Sequence, residues 1–86
     1  MISGAQVRAA RALLGWTAKE LAKRANVGVS TIQRIENAVG PPNAHGSNLA
    51  SIQSTLEAAG IEFIDENGGG PGVRLRARTI KTSKAK

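Results

Sequence analysis

The sequence predicts a mainly α fold: four short helices, then a C-terminal β-hairpin and a short basic tail. Three observations carry that expectation. Two S/T-x-x-E/Q capping patterns, at Ser3–Gln6 and Thr17–Glu20, each open a run of apolar residues at helical spacing. Between Ile61 and Arg76 the period changes to two, with apolar and charged residues alternating on either side of a glycine-rich stretch. From Ala77 onward, ARTIKTSKAK carries repeated cations and no apolar period, the pattern of a solvated, disordered tail.

The first helix is expected from the Ser3 cap to about Leu14, with Gly15 as its stop. Val7, Ala10, Leu13 and Leu14 repeat at helical spacing and are expected to face inward. Arg8 falls on the other side, where a solvated side chain is expected. Arg11 lies on or near the buried face, an odd place for a cation.

The stretch from Thr17 to Asn37, TAKELAKRANVGVSTIQRIEN, reads as two short helices joined by a tight turn. The Thr17 hydroxyl can accept the Glu20 N–H while the Glu20 carboxylate returns to the Thr17 N–H. Trp16 and Leu21 stand at the spacing of a hydrophobic staple around that cap. Leu21, Ala22 and Ala25 form the inward face, and small Ala22 suits a close helix crossing. Asn26 and Gly28 bracket the turn, and both residue types take left-handed backbone readily. The next helix runs from about Val29 to Asn37 with Ile32 and Ile35 inward. Val29, Ser30, Thr31, Gln33 and Arg34 then point outward, a set of donors plus an apolar contact suited to base edges in a major groove.

These residues resemble a family. LLGWTAKELAKRANVGVSTIQRIEN is similar to the Cro/cI-type repressor domain, the xenobiotic-response-element family of helix-turn-helix proteins. The matching residues are Leu14-Gly15, Glu20-Leu21-Ala22 and Thr31 through Glu36, and the likeness spans about Val7 to Leu56. It departs at Asn26, where the turn usually has glycine, and at Gly28, where the reading helix usually has a serine cap. The resemblance implies a sequence-specific regulator of double-stranded DNA. It implies that Arg11 pairs with Glu36, tying the first helix to the third. It also puts Thr17 and Lys19, at the start of the second helix, near a phosphate, where the helix dipole assists. Lys23 and Arg24 are weaker candidates for the same role. The segment after the reading helix is implied to run beside the sugar-phosphate backbone, which brings in Asn37, Asn43 and His45. Base reading is assigned to Val29, Ser30, Gln33 and Arg34, and Thr31 is expected to pack or touch phosphate.

Gly40-Pro41-Pro42 stops any helix, so 38–46 is expected to be a loop. Ser47 or Asn48 is then expected to cap a fourth helix with Leu49, Ile52, Leu56 and Ala59 as its apolar stripe and Gly60 as its stop. The family normally continues into a fifth helix, but this sequence turns to strands. Ile61, Phe63, Val73 and Leu75 give the hairpin one apolar face. A lone hairpin is marginal in water and its edges invite pairing, so these four residues are the expected homodimer contact. The alternative is that the hairpin only covers the core of its own subunit. The expected division is therefore 1–60 for DNA binding, 61–76 for the hairpin and 77–86 for the tail.

Composition narrows the function classes. The chain has 86 residues, a net charge of +6 and a pI near 10.9, so a polyanionic partner fits. Six of the twelve Lys and Arg residues lie between Arg74 and Lys86, which weakens any argument from charge alone. Without cysteine there is neither a disulfide nor a thiolate zinc site, and His45 alone makes no metal constellation. An enzyme is not expected, because Asp65 and Glu66 lack a paired base, and no cofactor or small-molecule ligand is expected at this length. No apolar run approaches a membrane span, so a cytoplasmic location is expected, on the nucleoid when bound. With one Phe and one Trp there is little to stack RNA bases on. The competing class is an antitoxin-like or adaptor module that uses the same fold and docks a protein on its edge strand.

Overall fold

The computed structural model describes residues 2–38, 46–65 and 68–76. The order is α1 (Gly4–Leu14), α2 (Ala18–Ala25), α3 (Val29–Asn37), α4 (Gly46–Ala58), β1 (Ile61–Ile64) and β2 (Gly72–Leu75), so the chain is mainly helical with a terminal hairpin, as the sequence predicts. Residues 39–45, which include Asn43 and His45, and the tail from 77 lie outside the described residues.

Caps set the helix boundaries. Ser3 and Gln6 form a complete capping box on α1, with the Gln6 N–H donating to the Ser3 hydroxyl at 3.2 Å and the Ser3 N–H donating to the Gln6 amide oxygen at 2.8 Å. At Thr17 only half of the expected box forms. The Glu20 N–H donates to the Thr17 hydroxyl at 3.0 Å, but the Glu20 carboxylate turns to Arg24 one turn along instead. A cation at i+4 outcompetes a neutral N–H for a carboxylate. Helices α1 and α2 both end in Schellman closures. The Trp16 N–H reaches Arg11 O and the Gly15 N–H reaches Ala12 O, and the same pair of bonds joins Val27 to Ala22 and Asn26 to Lys23. Gly15 at φ 70° and Asn26 at φ 59° take the left-handed backbone that this closure needs. Helix α4 begins at Gly46, so Ser47 and Asn48 lie in its first turn rather than capping it.

The core is one cluster drawn from all four helices and β1: Val7, Ala10, Leu21, Ala22, Ala25, Ile32, Ile35, Leu49, Ile52, Leu56 and Ile61, closed at one end by Ile2. Leu13 is an exception to the expected stripe, with 47% of its surface exposed. Val7, Ala10 and Leu14 already fill the inward face at spacings of three and four, and Leu13 is rotated past its edge. The strands pair antiparallel in the register Ile61–Leu75 through Ile64–Gly72. The hairpin lies along α1 through β2 and along α4 through β1. Its inner face is spent largely within the subunit, since Ile61 is fully buried and Phe63 and Val73 pack on the core cluster, while Leu75 stays 46% exposed. Among the described residues no helix is long and apolar enough to cross a membrane.

Candidate nucleic-acid interface

The interface is built on the α2–α3 pair. Helix α2 opens at Thr17 with Lys19 in its first turn, and both side chains are exposed. Helix α3 is amphipathic: Ile32, Ile35 and Glu36 are buried, and Val29, Ser30, Gln33 and Arg34 are all exposed on the other side. The four residues with expected base-reading roles are thus brought onto one helix and left open to solvent. Val29 is 39% exposed, a cost in water for an apolar side chain. Thr31 is half-buried and Asn37 is exposed at the end of α3. Gly28 precedes α3 with no side-chain cap, so the first N–H groups of this helix have no such partner.

Besides the core contacts of Ile32 and Ile35, polar contacts tie the end of α3 to α1. The Arg11 Nε donates to one Glu36 oxygen and an Arg11 terminal nitrogen to the other, both at 2.8 Å, and its other terminal nitrogen donates to Trp16 O at 3.0 Å. The pair is 21% and 7% exposed. The hydrogen bond that Arg11 donates to Glu36 raises the guanidinium above its ordinary range, against the opposing effect of burial. Arg8 is not merely solvated: its guanidinium donates to Glu36 O at 3.1 Å. Gly4 lies against the same turn, so close that a Cβ there would stand 2.0 Å from Ile35 O.

Three further contacts have no counterpart in the sequence reasoning. Arg24 sits over the Trp16 ring at 4.5 Å while paired with Glu20. The Ser51 hydroxyl donates to Ala25 O at 2.7 Å, finishing α2 from α4. The buried Gln6 amide donates to Ile64 O at 3.2 Å and to Gly72 O at 2.9 Å, which pins the loop end of the hairpin to α1. In the sequence, the Glu20–Arg24 spacing and the serine within an apolar helix were visible signals. Gln6 was hidden behind its capping role.

The face therefore offers an anion-favouring helix start, a solvent-open row of hydrogen-bonding side chains and a rigid support beneath. Among the described residues no group of His, Cys, Asp and Glu is placed to hold a metal ion. A helix-turn-helix family model matches residues 7–45, from α1 through the end of α3 and the segment beyond it. Among curated proteins none matches the chain.

Proposed function

We propose that this chain is a sequence-specific DNA-binding regulator of the Cro/cI-type helix-turn-helix family, whose model matches residues 7–45, and that it represses as a homodimer on a palindromic operator. The observation that carries the reading is the exposure of Val29, Ser30, Gln33 and Arg34 on one side of a helix whose other side is fully packed. Ser30 and Gln33 hydrogen-bond base edges, Arg34 reaches a guanine, and Val29 meets a thymine methyl. Thr17, Lys19, Thr31, Asn37 and Asn43 hold the sugar-phosphate backbone and set register without reading sequence. The protein works in the cytoplasm, where its DNA lies.

Dimerisation rests on symmetry and on the hairpin. A single module of this size buries little DNA, and two reading helices about 34 Å apart match one face of the duplex. Because Ile61, Phe63 and Val73 already support their own core, the dimer contact that fits is the open outer edge of the two-stranded sheet together with half-exposed Leu75. Occupancy of an operator by such a dimer is enough to block other proteins, which is why repression is the simplest output.

Selection from a randomised duplex library at two salt concentrations tests the reading. An enriched inverted repeat with half-sites about one helical turn apart is the expected result. A single enriched half-site would remove the dimer and keep the base reading. Binding that disappears with salt and enriches nothing would overturn the sequence-specific function.

A further inference from the structure

Helix α3 ends differently from α1 and α2. Helices α1 and α2 close on themselves, each with a left-handed residue and two backbone bonds that satisfy their last carbonyls. After α3 comes Ala38 in extended backbone at φ −69° and ψ 141°, and among the described residues only Ile35 O receives a bond from the chain that follows. The closure comes from α1 instead. Gly4, Arg8 and Arg11 stand at i, i+4 and i+7, one stripe of α1, and all three meet the last turn of α3. Gly4 lets the backbones touch at Ile35. Arg11 takes the Glu36 carboxylate. Arg8 takes the Glu36 carbonyl and sets a positive charge at the negative end of the helix dipole.

The place of that turn gives the contact its consequence. A helix of nine residues with no side-chain cap at its start is weak on its own and frays from both ends. Gln33 and Arg34 project from the last turn and a half, within three residues of Glu36, whereas Val29 and Ser30 belong to the first turn. Fraying at the C-terminal end therefore frees Gln33 and Arg34 and leaves Val29 and Ser30 in place.

We infer that Arg8 is a positioning residue for base reading: by completing the C-terminal cap of α3 it fixes Gln33 and Arg34, and with them the part of the site that they read. The inference rests on the proposed base-reading role of α3. It separates Arg8 from Arg11, whose bidentate pair anchors the helix as a whole.

The test is Arg8→Ala beside Arg8→Lys in the full chain, below the unfolding temperature of either variant, with two readouts. The first is amide hydrogen exchange of the free protein. Arg8→Ala is expected to speed exchange at Ile35–Asn37 and to leave Ala22–Ala25 unchanged, with Arg8→Lys close to the parent. The second is discrimination across single-base operator variants. Arg8→Ala is expected to lose about five- to tenfold of discrimination at the positions sensitive to Gln33→Ala and Arg34→Ala, and none at those sensitive to Val29→Ala or Ser30→Ala. Unchanged exchange in α3, or an affinity loss spread evenly over all positions, overturns the inference. If the parent protein selects no DNA sequence, the base-reading role fails, and the exchange experiment still decides whether Arg8 caps α3.

Discussion

Two arginine–glutamate pairs of nearly equal contact distance stabilise two regions of this molecule to very different extents. At the helical junction Arg11 meets Glu36 at 2.8 Å, with the side chains 21% and 7% exposed. On the hairpin Arg74 meets Glu62 at 2.9 Å, with 62% and 43% exposed. In the first pair burial limits how far water can replace a lost partner, so removing one member leaves the other poorly satisfied. In the second, water replaces either partner at once. The junction is thus supported by interactions that fail together, and the hairpin surface by interactions that can be lost singly. Such a division suits the proposed reading role of α3, which requires a helix held still, and a hairpin that is fixed chiefly by Ile61, Phe63 and the Gln6 amide.

Breaking the buried pair is expected to have the largest effect. Glu36→Ala should destabilise by about 3 kcal/mol, since Arg11 would remain partly buried with two donors unfilled. Thermal unfolding checks this, and for a chain of this size each kcal/mol corresponds to roughly 4–8 °C in Tm. Replacing both partners with apolar residues, Arg11→Met with Glu36→Leu, should recover much of the loss, which separates stranded charge from lost attraction. Next in size is Gln6→Leu, which removes the donor shared by Ile64 O and Gly72 O. A loss of about 1–2 kcal/mol is expected, with amide exchange rising in the hairpin and not in α3. Equal acceleration in both regions would blur the distinction drawn between them.

The smallest effect concerns Glu62. The hydrogen bond from Arg74, with its positive charge, holds the Glu62 carboxyl below the ordinary glutamate range. A depressed value in the folded protein means that the pair adds stability above the ordinary range and loses it as the pH falls through the lower folded value. Both groups lie in solvent, so acid titration of Glu62→Gln beside the parent should give curves that part only slightly near neutrality and converge in acid.

Local signals made most of the fold legible. The capping residues Ser3 and Thr17, the stops Gly15 and Asn26, and the change of period at Ile61 each act within a few residues, and each of these boundaries falls at or within a residue or two of its expected place. What could not be read depended on partners distant in the chain. Leu13 satisfies the helical period but turns outward, because neighbouring residues had already filled the inward face. Arg8 looks like any solvated arginine until α3 is placed beside it, and Gly4 looks like a weak choice in a first helical turn until Ile35 O is found against it. The candidate interface was legible as a set of outward side chains on a short helix. The polar support beneath it was legible only at Arg11 and Glu36, and only through family resemblance.

In the proposed function α3 reads bases while the start of α2 holds the backbone. Affinities of Arg34→Ala and Lys19→Ala for a panel of single-base operator variants, compared with the parent, test it most directly. Arg34→Ala should weaken binding unevenly, by about 1–3 kcal/mol at the site that it reads and with relaxed preference there, while Lys19→Ala should weaken every variant alike and flatten the salt dependence. A uniform loss in both mutants would contradict the claim, because it would make Arg34 one more cation on the phosphate backbone.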